Sequence, residues 1–475
     1  MSTFSGLNTA YTGLNAARQG LDVVGQNIAN SSTKGYTRQR VTTAAAGSLA
    51  QIGPLVLAGA QVGQGVTVDG VARLGDVYLD ARVRTSAATS GNLAVRSNTL
   101  ASVETSLNEP STTGISAQLQ GFWSSWQDVA NRPGESAPAG VLLQNATELA
   151  TQVASGYASV DATWSETRSK LDGMAAELND AGTRVAALNG QIRETLATGG
   201  SVNELLDQRN ILTGSIAALT GGAMRTLPDG TAEVLVGGNA LVSGDVFHSV
   251  TVTGSNSLAG ASGSPVSLEW TDRPGQPVAV ESGEIAGSIA MLAPANGNGT
   301  GGAIAEAAAG YNDFATYLAT TVNAVHRTGS TTTGATGLDF FSLSASGPAA
   351  TGLSVVPTSV AQIASGTPGS GALDGSNADA IAALGSGAAS PDAKWTGFVT
   401  RIGVAAKTSL QQATLAESAA TAASSAQLAN SSVDLDEENV NMLTFQKAYQ
   451  GAARVMTAVD EMLDVLINHT GIVGR

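Results

Sequence analysis

The chain has 475 residues, no cysteine, 13% charged residues and an aromatic content of only 4%. The charged fraction is half the roughly 25% of ordinary soluble domains, and 38 acids against 23 bases exclude the basic surface that nucleic-acid binding requires. Without cysteine there is no disulfide framework, thiolate nucleophile or cysteine-based metal site, while the 43% hydrophobic content can fill the cores of about three domains.

The N-terminus lacks a basic segment followed by an unbroken apolar run, so no Sec-type signal is expected, and no stretch is apolar enough to span a membrane. A heptad helix is predicted first, with Phe4, Leu7, Tyr11, Leu14, Leu21 and Ile28 at three-four spacing, interrupted by Arg18 and Gly25. NSSTKGY and the glycine-rich stretch 47–70 break it, and Val66, Val68 and Val71 suggest a short strand. From Asp76 to Leu219 the pattern is helical, clearest from Leu149 to Ile192, with breaks at Pro110, Pro133 and Pro138. At Met224 the period changes to two. A hairpin is predicted around Pro228-Asp229-Gly230, followed by short strands at 246–252, 266–270 and 278–281. Helix returns at about 303–327 and from Trp395 to Leu428. The Gly/Ser/Ala/Thr-rich stretch 329–390 reads either as irregular lobe or as linker.

The last segment mirrors the first. Met442, Phe445, Tyr449, Met456, Val459, Leu463 and Leu466 continue the same spacing, and Asp434, Asp436, Glu437 and Glu438 crowd the start, where the helix dipole favours anions. Residues 1–45 carry four cations against Asp22, net +3. Residues 433–475 carry seven acids against three cations, net −4. Matching seams and opposite charge predict that the two ends pair as a coiled coil, with these thirteen seam residues as an assembly interface.

The expected fold is therefore mainly α with a β-rich outer lobe, in a nested, elongated, multi-domain chain. Residues 1–45 plus 433–475 form the terminal pair, 46–221 plus 301–432 a helical domain (with 329–390 unassigned), and 222–300 the lobe.

Little in the sequence carries chemistry. Gly297-Asn298-Gly299-Thr300-Gly301-Gly302 fits G-x-G-x-x-G, but it lacks a preceding strand and a following acid at the right distance, and is expected to be a loop. The acids at 434–438 lack calcium-loop spacing and suit a helix start. His326 fits a helix C-terminus better than a catalytic base, and Trp123 with Trp126 fit core packing better than a sugar platform. No catalytic, cofactor or metal site is expected.

LDVVGQNIANSSTKGYTRQRV near the start, and VDLDEENVNMLTFQKAYQGAARVMTAVDEMLDVL near the end, resemble the paired signatures of bacterial flagellar axial proteins, the rod, hook and hook-associated family. GYTRQR (35–40), GFWSSWQDVANRP (121–133), NELLDQRN (203–210), VNAVHRTG (322–329) and GLDFF (337–341) narrow the likeness to the hook-associated members at the hook–filament junction. Ser432, Asn210 and the tail INHTGIVGR depart from the usual pattern.

The resemblance implies a non-enzymatic structural protein of the extracellular flagellum, exported unfolded by the flagellar type III route after handling by an export chaperone. It implies a ring of copies of this chain, contacting hook protein on one side and a second junction protein, hook-associated protein 3, on the other. It implies end segments disordered before assembly, with no nucleic-acid or membrane partner. A hook or distal-rod protein is the alternative within the family, disfavoured by NELLDQRN and the long helical block. A secreted enzyme in the lobe, around His248, is the alternative from another class.

Overall fold

The computed structural model describes residues 3–47 and 63–469. In chain order it runs through α1 (Thr3–Ala29), β1 (Gln39–Ala45), β2 (Val66–Arg73), α2 (Val77–Ser106), α3 (Ile115–Asn131), α4 (Ser136–Ala197) and α5 (Asn203–Thr220). The strands β3 (Ala223–Thr226), β4 (Ala232–Val236), β5 (Asn239–Ser243), β6 (Val246–Phe247), β7 (Val250–Thr253) and β8 (Ser267–Trp270) follow. Then come α6 (Gly283–Leu292), α7 (Ala303–His326), β9 (Phe341–Ser342), α8 (Ala349–Gly352), β10 (Ser354–Val355), α9 (Ser376–Ala382), α10 (Pro391–Ser431) and α11 (Leu435–Asp464). A π turn over Val465–His469 prolongs α11. The fold is mainly α with small sheets. Its accessible surface, 24014 Å², exceeds by half the roughly 16,000 Å² of a compact chain of this mass, as an elongated molecule requires.

The axis is α4. Its 62 residues bury Leu149, Val153, Val160, Trp164, Leu171, Leu178, Val185 and Ile192 in one stripe at helical spacing. Pro138 is accommodated in its first turn, where the backbone N–H has no helical partner to lose. α3, α6 and α7 pack on α4, and α10 runs along α2. The strands β3-β4-β5-β6 form an antiparallel meander, with β7–β8 as a separate pair, and both lie against the C-terminal half of α4. Residues 278–281 make no strand: Val278 donates to Leu268 O (2.7 Å) beside an isolated bridge at Pro277. β2 pairs with β1, a strand that the valines at 66–71 did not announce.

Helix asparagines fasten the strands to this scaffold. Asn179 Nδ2 donates to Val250 O (2.8 Å) while its Oδ1 accepts from Val250 N (2.9 Å). Asn189 does the same to Ala232, at 2.7 and 2.9 Å, and its Oδ1 also accepts from Arg209 Nη1. Asn323 of α7 grips Phe341 O (2.7 Å) and accepts from the N–H groups of Phe340 and Phe341.

The stretch 329–390 packs on the helices. α8 lies on α4 and α7, α9 lies on α3, and Phe340, Phe341, Ile363 and Ile381 are buried there. The few aromatics concentrate at these joints: Phe122 and Trp126 of α3 with Phe340 and Phe341, and Tyr311 and Phe314 of α7 with Trp395 and Phe398 of α10. Trp123 Nε1 donates to Asp392 Oδ2 (2.7 Å), tying α3 to the start of α10. The glycine motif at 297–302 follows α6 rather than a strand and leads into α7, with Gly301 N donating to Glu306 Oε1 (3.1 Å).

His326 closes α7 and is fully buried. Its Nε2 accepts from Ala364 N (3.0 Å) and its Nδ1 donates to Leu338 O (2.8 Å), which fixes a neutral ring. Burial lowers its pKa below the ordinary histidine value, against the weaker pull of the Leu338 carbonyl and Asp339. The unfolded chain thus takes up a proton that the fold refuses, and stability falls as pH drops through the unfolded value of about 6.5. In an NMR titration the His326 imidazole should titrate below the ordinary value of about 6.5; a ring titrating at or above it would contradict the assignment.

Candidate assembly interface

α1 and α11 lie antiparallel, and their line of contact repeats every seven residues. A Cβ placed on Gly6 would meet Val459 at 3.8 Å, one on Gly13 would meet Ala452 at 4.0 Å, and one on Gly20 would fall 2.5 Å from the Phe445 ring. Asn27 Nδ2 donates to Glu438 Oε2 (3.1 Å) at the base. The contacting stripe of α1 is Gly6, Ala10, Gly13, Ala17, Gly20, Val24 and Asn27, one residue before the predicted seam at every step. Rotating the seam by one residue replaces its two interruptions, Arg18 and Gly25, with Ala17 and Val24.

The expectation that the large residues of α1 meet α11 is therefore corrected. Tyr11 is 60% exposed, Leu7, Leu14, Leu21 and Ile28 are half-buried beside the contact line, and the side chain of Phe4 lies outside the described residues. On α11 the seam is closer to its predicted place. Val459 is buried, Phe445, Met456 and Leu463 are half-buried, and Met442, Tyr449 and Leu466 are exposed. The physical reason is distance: glycine and alanine let two helices approach closely, and α11 fills the shallow groove with Phe445 and Val459. What remains exposed is Tyr11 on α1, Val440, Leu443, Val455 and Met462 on α11, and Ile467 in the π turn.

At the base of the pair the polar groups converge. Arg38 bonds both oxygens of Glu437 (2.7 and 2.8 Å) and Glu438 Oε1 (2.7 Å). Asp434 caps α11 by accepting from Asp436 N and Glu437 N, so the acid cluster divides into a cap and an arginine clamp. Bonding to Glu437 raises the Arg38 pKa, and the same bond lowers that of Glu437. Tyr36 OH donates to Asn27 Oδ1 (2.9 Å), and burial, then Asp207, Glu204 and Glu438, push its pKa up to about 12. Gly35, at φ +81°, makes the turn into this knot, and a Cβ there would strike Ile211.

α5 fastens the base to the body. Asp207 accepts from Thr37 N (3.0 Å) and Arg73 Nε (2.5 Å); Asn203 Nδ2 donates to Gln39 Oε1 and Val71 O. Arg209 bonds Asn189 Oδ1 and Gly230 O, and burial followed by Arg73 lowers its pKa to about 10. Asn210 Nδ2 reaches Asp80 Oδ2, which α10 shares through Gln427 Nε2 on Oδ1. In the lobe, His248 Nδ1 lies 3.1 Å from Asp272 Oδ2 with Trp270 edge-on to its ring. Among the described residues, no group of three or more His, Asp or Glu side chains is placed to hold a metal.

The same regions are those matched by known families. Residues 100–341 match the model of the flagellar hook-associated protein FlgK helical domain, residues 7–37 that of the flagella basal body rod protein, and residues 425–468 that of the flagellar basal body rod FlgEFG protein C-terminal. The chain belongs to the flagellar hook-associated protein FlgK family. It is 28% identical to flagellar hook-associated protein 1 of Bacillus subtilis over the full length of both chains. With that of Salmonella typhimurium it shares 27% identity, over 53% of this chain and 44% of the relative. The flagellar hook junction protein FlgK of Burkholderia pseudomallei has the same fold, with a TM-score of 0.64 at 14% identity, covering 73% of this chain and 99% of that one.

Within this FlgK fold the three signature segments meet at one place. NIANSSTKGYTRQR supplies Asn27, Tyr36, Thr37, Arg38 and Gln39, NELLDQRN supplies Asn203, Asp207, Arg209 and Asn210, and the C-terminal segment supplies Glu437 and Glu438. None of these was picked out by apolar periodicity. The signal that marks them is a dense run of Asn, Asp, Arg and Gln flanking helix ends. Asp207→Asn, which leaves Arg73 half-sheltered without its carboxylate, should cost about 3 kcal/mol in urea unfolding of the full chain. A loss below about 0.5 kcal/mol, the scale of a neutral surface change, would contradict a fastening role.

Proposed function

We propose that the chain is a structural junction protein of the bacterial flagellum, connecting hook to filament, and that its end-helix pair is the part through which subunits assemble. One observation carries the second statement: α1 offers α11 mainly glycine and alanine, and Tyr11 of α1 with Val440, Leu443, Val455 and Met462 of α11 stay exposed. An apolar surface of that extent on a soluble subunit fits burial by further copies and neighbouring axial proteins. α1 spans about 40 Å, so copies standing side by side can bury a long stripe each.

The proposed division follows the contacts. The terminal pair forms an inner domain, the helices around α4 a surrounding one, with 329–390 joined to them, and the strands 223–270 an outer lobe. The partners proposed are copies of this chain in a ring, hook protein on one side and hook-associated protein 3 on the other. Delivery is proposed by the flagellar type III route with an export chaperone. A place outside the cell, in the flagellum, belongs to the same proposal, and the proposed role is mechanical, with no reacting group required.

The test is complementation of a strain lacking this gene. Micrographs of the deletion should show hooks without filaments, and rods without hooks would overturn the junction role. Wild-type protein should restore filaments, whereas Tyr11→Arg should fail, although the purified variant keeps the parent's helicity. Full motility with Tyr11→Arg would contradict the assembly surface.

A further inference from the structure

Of the four heptad contacts between α1 and α11, those of Gly6 with Val459 and Gly13 with Ala452 are alike, at 3.8 and 4.0 Å from a Cβ, whereas Gly20 alone takes the Phe445 ring. Gly6, Gly13 and Gly20 present the same shallow groove, and Ala10 and Ala17 between them add no feature that distinguishes one heptad from the next. Sliding α1 toward the free end of the pair by one heptad, about 10 Å, would set Gly13 against Val459 and Gly20 against Ala452 with similar contact. The nine residues 30–38 that join α1 to β1 are long enough for this shift, at about 3.3 Å per extended residue. Apolar packing therefore opposes the slide at one place, the half-buried Phe445 ring against Gly20, which can turn away.

We infer that Asn27 is the positioning residue that fixes the register of the end-helix pair. Its side chain is 1% exposed and all four of its hydrogen-bonding positions are used. Nδ2 donates to Gln39 O (2.9 Å) and Glu438 Oε2 (3.1 Å), and Oδ1 accepts from Gln39 N (3.0 Å) and Tyr36 OH (2.9 Å). Gln39 belongs to β1 and Glu438 to α11, so one amide holds the last turns of α1 against both neighbours at once. A one-heptad slide breaks all four bonds and brings Asn27 level with the Phe445 ring. A buried polar group in an otherwise permissive seam is the arrangement that selects one register among several.

The register has a consequence beyond the pair. It fixes the heights of Tyr11, Leu14 and Leu21 of α1 relative to the exposed residues of α11, so every copy offers the same outer surface. Subunits that pack symmetrically need that identity. This consequence rests on the proposed function; the register itself does not.

The test exploits the absence of native cysteine. In the full chain, Gly13→Cys with Ala452→Cys reports the native register, because the two Cβ positions lie 4.0 Å apart, within disulfide range. Gly13→Cys with Val459→Cys reports the slipped one. In the parent only the first pair should crosslink. With Asn27→Ala, crosslinking of the second pair should rise at least about tenfold, since each buried hydrogen bond lost is a factor on the order of ten. Arg38→Ala removes the cation from Glu438 but leaves Asn27 on Gln39, and should keep the first pair dominant. The inference is overturned if Asn27→Ala keeps the native pair alone, if it abolishes both crosslinks, or if Arg38→Ala slips equally. Crosslinks are read on purified protein, so this result stands or falls apart from any role at the hook–filament junction.

Discussion

A strand laid against a helix faces a shortage of partners, because the helix spends its peptide groups on itself and offers the strand edge none. This fold meets that constraint with asparagine. Asn27, Asn179, Asn189 and Asn323 each present an amide that pairs with both the N–H and the C=O of a strand segment, as a neighbouring strand would. The β lobe hangs on α4 by two such clips, the Phe340–Phe341 corner on α7 by a third, and β1 on α1 by the fourth. Long helices can then carry short strands without leaving buried backbone unsatisfied.

The end-helix pair depends on the same device more than on apolar burial. Glycine inside a helix costs roughly 1 kcal/mol relative to alanine, and α1 contains Gly6, Gly13, Gly20 and Gly25. A groove of glycine and alanine also removes little apolar surface from water. The base of the pair supplies what the seam lacks: Arg38 on Glu437 and Glu438, Asp434 at the cap, and Asp207 holding Thr37 and Arg73. Such a pair is anchored at its base and leaves Tyr11, Val440, Leu443, Val455 and Met462 exposed. That distribution suits a subunit that completes its packing in an assembly.

Much of this was legible in the sequence. α4, α7 and α10 announced themselves because their buried faces are large and repeat at helical spacing, and Pro228-Asp229-Gly230 announced the β3–β4 hairpin. The α1 seam was read one residue too late. Leu7, Tyr11 and Leu14 dominate any hydrophobic pattern, while Gly6, Ala10 and Gly13 carry almost no signal, although small residues are what permits the contact. β1 was missed because its TTAA end is neither bulky nor alternating. The roles of Asp207, Arg209 and Glu438 were hidden for a different reason. Their partners lie 134, 20 and 400 residues away in the chain, and pairing across such separations leaves no local period.

The most direct test of the outward apolar stripe is oxidative footprinting of Tyr11, Met442, Tyr449 and Met462, comparing the purified monomer with isolated hook–filament junctions. The expected result is strong labelling of all four in the monomer and protection of all four in the junction, with Trp126 and Trp164 of the body protected in both. Equal labelling of the four side chains in monomer and junction would contradict the claim that this surface is where subunits meet.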